Sequence, residues 1–346
     1  MKTLLNTVYV TTPECALRKE GENLVVALEG EERLRVPLHM LGGLVVFGPV
    51  LLTPGLIMAC SEAGIAITLC DRVGRFQARV EGPVGGNVLL RRAQYRVADD
   101  PAAYGAIVRS LLLGKVSNQR QVLLRARRDL GEEASADALE ALEQAAGRLG
   151  RIARQLAEAQ DIEVLRGLEG EAARLYFASF PHLIRSPDVE LGWAGRTRRP
   201  PLDPFNALLS FLYTLLTHDC RSAAESVGLD PAVGFLHRDR PGRPSLALDL
   251  MEELRPILAD RLALALVNRR QLRARDFETR DGGAVVMSEA ARKTLLTAWQ
   301  ERKREERLHP FLQERAPLGL VPFLQAQMLA RHLRGDLDAY PPWFWR

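Results

Sequence analysis

The residue types best suited to chemistry collect in one stretch, Gly234–Pro256, which reads GFLHRDRPGRPSLALDLMEELRP. His237 comes first, then a basic turn broken by Pro and Gly, then an apolar run carrying Asp249, Glu252 and Glu253. The spacing of Asp249 and Glu252, i and i+3, puts both carboxylates on one face of a helix. Paired carboxylates repel each other and resist burial unless a cation or a proton compensates them. A histidine nitrogen beside them makes a mixed donor set that suits Mn²⁺, and Mg²⁺ when phosphate oxygens complete the shell. A local explanation competes: acidic residues that open a helix are favoured by its dipole without any ligand.

A second acidic element lies upstream. RGLEGEAARLYF places Glu169 beside an apolar stripe of Leu165, Leu168, Ala172, Leu175 and Tyr176. A carboxylate so placed is either on the helix edge or turned toward a site. Basic residues surround both elements. Arg196, Arg198 and Arg199 lie in a loop closed by Pro200-Pro201, and Arg238, Arg240 and Arg243 adjoin His237. Lys293, Arg302, Lys303, Arg304 and Arg307 follow a helix start at Ser288, where Ala291–Arg315 holds seven Arg or Lys against four Glu. All are candidate phosphate contacts, serving duplexes of many sequences because the backbone is what they would touch. Trp299 in that helix is suited either to stacking on a base or to anchoring the helix in a core. His218 and Asp219, near the end of an apolar run, read as a helix terminus with a satisfied polar pair rather than as a second metal site.

These groups need a scaffold, and the pattern predicts an α+β chain. A mainly β domain with one short helix is expected over 1–88, a linker over 89–98, and a larger all-α domain over 99–346. From Thr3 to about Val97 the chain runs in short β-branched pieces bounded by Gly, Pro or charged turns. Among them TPGLIMACSEAG reads as a helix, with Thr53 as cap, Pro54 in the first turn and Gly64 as stop. Further on, 3.6-residue periodicity predicts helices over 102–113, 115–130, 132–160 with a break at Gly150, and 165–180, and one capped by Asp203. The aromatic end DAYPPWFWR is expected to dock on the helical domain or on a partner, since exposure would leave a large apolar patch.

A formal charge of +4 leans only slightly toward an anionic partner. Cys15, Cys60, Cys70 and Cys220 are scattered without a CxxC pair, which points to reduced, buried thiols and a cytoplasmic setting. The apolar run near Leu44–Cys60 is interrupted by Gly and Pro, so no membrane span is expected, and no targeting segment is visible.

Taken together, Glu169, His237 and Glu252 resemble the motif set of the CRISPR-associated integrase/endonuclease of the spacer-acquisition step. RGLEGEAARLYF looks like the family's glutamate motif, and GFLHRDRPGRPSLALDLMEELRP like its histidine-plus-acidic motif. RRPPLDPFNALLSFLYTLL is similar to its third recurring segment. The wording of THDCRSAAESVGLDPAVGFLH, LVNRRQL and RHLRGDLDAYPPWFWR is most like the subtype I-C branch. The resemblance implies a β-then-α plan and a DNA transesterification in which a spacer 3′-hydroxyl attacks the repeat-boundary phosphodiester. It also implies Glu169, His237 and Glu252 as ligands of Mg²⁺ or Mn²⁺, with Asp249 as the adjoining acidic member of the catalytic set. Glu252 stands where some family members have Asp. The implied partners are double-stranded DNA, a second copy of the chain, a small dimeric second adaptation protein and an exonuclease-type adaptation nuclease. Self-association is expected through the β domain, whose sheet edges favour pairing. Two rival readings use the same residues: a metal-dependent DNA-repair nuclease with water as nucleophile, and a non-catalytic DNA-binding scaffold.

Overall fold

The short β-branched pieces near the start of the chain pair into two sheets. The structure is a computed structural model, and residues 6–72, 76–80, 82, 88–130, 135–198 and 200–345 are described. The strands are β1 (Asn6–Val10), β2 (Ala16–Glu20), β3 (Asn23–Leu28), β4 (Glu31–Pro37), β5 (Leu41–Phe47), β6 (Leu51–Leu52), β7 (Ala66–Cys70) and β8 (Phe76–Val80). One sheet has the order β1-β5-β7-β8, with Val8 and Ile67 flanking Leu44 in parallel pairs and β8 antiparallel at the edge. The other has the order β4-β3-β2-β6. Helix α1 (Pro54–Glu62) follows Thr53, which is extended, and ends before Gly64 at φ +65°. Leu17, Leu24, Leu44, Val46, Leu56, Cys60 and Ile67 share one buried cluster.

The helical part comprises α2 (Val88–Ala98), α3 (Pro101–Leu130), α4 (Ala136–Glu158), α5 (Ile162–Ala178), α6 (Phe180–Leu183), α7 (Pro204–Ser226), α8 (Ser245–Glu252) and α9 (Arg261–Asn268). A hairpin of β9 (Phe277–Thr279) and β10 (Val285–Met287) precedes α10 (Glu289–Arg304). A second hairpin of β11 (Glu306–Leu308) and β12 (Arg315–Pro317) leads to α11 (Val321–Leu333). Helix α3 packs against α4, α5 and α8, burying Ile107, Leu111, Leu112, Val116, Val122 and Leu123.

The chain divides into two units, 1–85 with 287–303, and 86–286 with 304–346. Two boundaries therefore differ from expectation. Residues 89–98, expected as a linker, lie in α2, because Leu90 and Gln94 have places to go. Gln94 donates to the carbonyls of Asp230 and Val233, each at 2.8 Å, and accepts from the N–H of Asp230. Most of α10, expected in the helical domain, belongs to the β unit instead. It buries Ala291, Leu295, Leu296 and Trp299, and Gln300 donates to the carbonyl of Thr7 at 3.0 Å. An amphipathic pattern gives the width of an apolar stripe but not the surface it covers.

Three helix boundaries also shift. α3 is one helix through Gly114, and α4 passes Gly150 unbroken, since a lone glycine costs a helix only about 1 kcal/mol. α7 continues to Ser226, so His218 and Asp219 lie within a helix, not at its end. The expected cap at Asp203 is present, its carboxylate accepting from the N–H of Asn206 at 2.7 Å.

Candidate active site

The histidine-bearing loop is held against α8 by a single carboxylate. Asp249 is fully buried and accepts from the backbone N–H of Phe235 at 2.5 Å and of Leu236 and His237 at 3.0 Å. Its Oδ1 also lies 2.6 Å from His237 Nδ1. A carboxylate flanked by these donors accepts only, so Nδ1 carries the proton and Nε2 is left as the available nitrogen. Gly234 makes the close approach possible: a Cβ there would stand 2.8 Å from both Asp249 Oδ2 and the carbonyl carbon of Ser245.

One turn further along α8, Glu252 is buried between two cations and the imidazole. His237 Nε2 lies 3.7 Å from its Oε1, Arg255 Nη2 lies 2.6 Å from the same oxygen, and Lys115 Nζ lies 2.7 Å from Oε2. Burial alone would raise the Glu252 pKa, but Arg255, Lys115 and His237 outweigh it and hold the carboxyl down at about 2. Lys115, itself buried in α3, also bonds to Glu169 Oε1 from α5, so one ammonium joins both catalytic candidates. Glu252 Oε2 is buried, with the Lys115 ammonium 2.7 Å away. Among the described residues, no group of three His, Cys, Asp or Glu is disposed to hold a metal ion. The Lys115 ammonium lies between the two carboxylates instead.

The elements carrying these groups are tied to one another. Asp161 caps α5 by accepting from the N–H of Glu163 and Val164. Glu163 in turn pairs with Arg166 and, at 3.1 Å, with Arg238 of the histidine loop. Behind Arg255, the ring of Tyr213 lies 5.2 Å from the guanidinium carbons of both Arg255 and Arg196. Asp260 accepts from the hydroxyls of Tyr213 at 2.7 Å and Tyr176 at 3.0 Å. Burial pushes the Asp260 carboxyl up to about 6 despite those two bonds. Residues Pro256–Asp260 form a π-helical turn that joins α8 to α9 and connects Arg255 to this pocket.

The structure thus brings Glu169, His237, Asp249 and Glu252 into one cluster, with Asp249 behind the histidine. The basic candidates divide. Arg198, Arg238, Arg240, Lys293 and Arg304 are exposed, whereas Arg243 and Arg307 are half-buried, Arg307 pairing with Glu305 at 2.7 Å. Three expected phosphate contacts are corrected. Arg196 turns inward, donating to the Thr197 carbonyl and to Asn206 Oδ1 at 2.7 Å. Arg302 and Lys303 are buried in the β unit, and Trp299 beside them is fully buried, an anchor rather than a stacking surface. Arg199 lies outside the described residues. Lys115 and Arg255 were not anticipated as site residues. The available signals were a lysine on the apolar face of LLLGKVSNQ, and an arginine at i+3 from Glu252.

The chain thus pairs a β unit of two small sheets with a larger helical unit that holds the cluster of acids, imidazole and cations. The same fold occurs in a casposase bound to an integration product, at a TM-score of 0.84 and 19% identity over 99% of this chain and 95% of that one. It occurs again in a Cas6-RT-Cas1–Cas2 complex, at a TM-score of 0.79 and 24% identity, covering 99% of this chain and 36% of that one. The model of the family described as CRISPR associated protein Cas1 matches residues 8–301. A "CRISPR-associated endonuclease Cas1 2" from Rhodospirillum rubrum is 69% identical over the whole of both chains. A "CRISPR-associated exonuclease Cas4/endonuclease Cas1 fusion" from Geobacter sulfurreducens is 35% identical over 96% of this chain and 59% of the fusion. The chain belongs to the Cas1 family of CRISPR-associated endonucleases. No helix among the described residues is long and apolar enough to cross a membrane.

Proposed function

We propose that this chain is a metal-dependent DNA integrase that joins a spacer 3′-hydroxyl to the repeat-boundary phosphodiester, with Glu169, His237 and Glu252 as its metal ligands. One observation carries the reading: Glu169 and Glu252, 83 positions apart in sequence, converge on one ammonium with His237 Nε2 beside them. The donor set is of the right chemistry for Mg²⁺ or Mn²⁺, with two carboxylates and an imidazole nitrogen whose other nitrogen is fixed by Asp249. Glu252 Oε2 is buried against the Lys115 ammonium, so a bound cation would take over a charge contact that this carboxylate already needs. When bound, the ion neutralises charge that builds on the transferring phosphate. Lys115 stands in for it as the counter-charge that joins the buried Glu252 to the half-buried Glu169.

The remaining residues position the reaction. Asp249 holds His237 in one tautomer, and Arg255 keeps Glu252 ionised. The attacking 3′-oxygen forms one P–O bond as the bond from phosphorus to the repeat 3′-oxygen breaks, and the proton lost by the attacking hydroxyl is balanced by one gained by the leaving oxygen, so no outside energy source is needed. Exposed Arg198, Arg238, Arg240, Lys293 and Arg304, with the half-buried Arg243 and Arg307, serve as duplex contacts. The chain acts as a homodimer through the β unit, in the cytoplasm, with a Cas2-type partner and a Cas4-type nuclease. The Cas1–Cas2 complex and the Cas4/Cas1 fusion among its relatives support those partners. The segments around Ser222, Leu266 and Trp343 support placement in the subtype I-C branch.

A plasmid-joining assay tests the reading. Labelled duplex with a free 3′-hydroxyl is incubated with repeat-bearing plasmid in Mg²⁺ or Mn²⁺, with and without the Cas2-type partner. Label joined at the repeat boundary is the expected result. Nicked plasmid without joined label would favour a hydrolytic nuclease, and intact plasmid in every condition would favour a non-catalytic scaffold.

A further inference from the structure

Beside the catalytic cluster, α3 and the end of α8 are bonded to the aromatic segment Tyr340–Trp345. Glu253, next to Glu252, is fully buried. It accepts from the Tyr340 hydroxyl, from Gln325 Nε2 at 2.9 Å and from the Trp343 N–H at 2.6 Å. Asn118, one turn from Lys115 on α3, completes the attachment. Its amide donates to the carbonyls of Glu253 at 2.7 Å and Trp343 at 2.9 Å, and its oxygen accepts from the Trp345 N–H at 2.8 Å. The helices are close here: a Cβ on Gly114 would meet Glu253 Cβ and Oε2 at 3.0 Å and Pro342 Cβ at 3.1 Å. Arg261 and Arg125 then cover the Trp345 ring at 4.2 and 5.7 Å.

α3 and the end of α8 therefore each hold one residue in the cluster and another on the aromatic segment: Lys115 and Asn118, one turn apart on α3, and Glu252 with the adjoining Glu253. Packing alone would have been met by apolar side chains. Here a carboxylate and an amide, both buried, are bonded on several sides, which fixes distance and rotation as well as contact. We propose that Tyr340–Trp345 is a positioning strut for the catalytic centre, setting the register of α3 against the end of α8 through Asn118 and Glu253. It touches no substrate; it acts through Lys115 and Glu252. The proposal rests on the catalytic reading above.

Asn118→Ala in the full chain tests it, because that change cuts all three Asn118 bonds while leaving the catalytic cluster untouched. Mn²⁺ affinity is measured by calorimetry without DNA, and joining is resolved into kcat and KM for duplex. Val46→Ala in the β core serves as a stability control. The expected result is a loss of Mn²⁺ affinity of about 10–100-fold, the range of outer-shell changes at metal sites. The kcat should fall in step, with KM for duplex unchanged, whereas Val46→Ala leaves Mn²⁺ affinity alone. Should Asn118→Ala fail to fold, Tyr340→Phe removes one hydroxyl only and should shift the same two readouts in the same direction, by less. Mn²⁺ affinity and kcat equal to wild type in a folded variant would overturn the strut. A wild type that neither binds Mn²⁺ nor joins duplex would instead overturn the catalytic reading beneath it.

Discussion

Glu252 and Glu253 are adjacent, both buried, and driven in opposite directions by their neighbours. On the catalytic side, burial of Glu252 is outweighed by Arg255, Lys115 and His237, and the carboxyl stays ionised down to about 2. At the next position, burial of Glu253 prevails over bonds from Tyr340, Gln325 and the Trp343 N–H, and its carboxyl rises to about 7. Neutral donors stabilise a carboxylate less than full charges do in the same low-dielectric surroundings. The difference teaches what each setting is built for. The surroundings of Glu252 concentrate charge, and those of Glu253 spend their polar groups on fixing backbone positions.

Removing the counter-charge should break this comparison most severely. Lys115→Met leaves Glu169 and Glu252 without the ammonium that joins them; Arg255 still pairs with Glu252 and Glu169 is partly exposed, so the loss should stay below the roughly 3–5 kcal/mol of a fully stranded buried charge. Thermal unfolding should show that loss, with Mn²⁺ recovering more of it in the variant than it adds to wild type, since ligand binding stabilises the folded state. An equal response to Mn²⁺ in both proteins would separate Lys115 from the metal position.

The two acids should also give opposite pH slopes. Glu252 is lowered from 4.5 to about 2, so its contribution is present above pH 4.5 and is lost as pH falls toward 2. Glu253 is raised from 4.5 to about 7, so its contribution is full below pH 4.5 and is lost as pH rises through 7. Asp260 adds to the second slope between 3.8 and about 6. Glu253→Gln should flatten the upper slope by on the order of 3 kcal/mol and leave the lower one. Melting curves from pH 2 to 8 measure both, and an unchanged upper slope would count against a neutral-donor environment for Glu253.

Much of this site was legible beforehand, and the failures have physical causes. The spacing of Asp249 and Glu252 read as one helix face, and Glu169 beside an apolar stripe read as a possible inward carboxylate. Glu169 is partly exposed on its helix edge and reaches Lys115 from there. The first reading holds, because periodicity reports orientation within one helix. It does not report which helices meet, so Lys115 in LLLGKVSNQ passed as part of a basic helix although its neighbours Leu112, Gly114 and Val116 are buried. Charge counting misled in the other direction. Arg302 and Lys303 belong to a basic stretch, but counts ignore faces, and both side chains are buried alongside Trp299. The linker reading of 89–98 failed because Gln94 binds carbonyls at residues 230 and 233, a partner that no local pattern reveals.

Smaller effects sharpen the comparison. Asp249→Asn keeps the shape but replaces an all-acceptor group with one that also donates, so it opposes one of its four donors. Joining should fall about 10–100-fold through a misoriented His237. Normal joining kinetics would mean that the imidazole is held by something else. Arg240→Glu should weaken duplex binding only modestly and reduce the magnitude of the salt-dependence slope by roughly one for each phosphate no longer neutralised. A slope identical to wild type in fluorescence titrations would remove Arg240 from the duplex-binding surface.

The most direct measurement is a calorimetric Mn²⁺ titration of wild type against Glu252→Ala without DNA. The expected result is saturable binding in wild type and its disappearance in the variant, with folding checked by circular dichroism. Equal binding in the two proteins would contradict the assignment of Glu169, His237 and Glu252 to one ion.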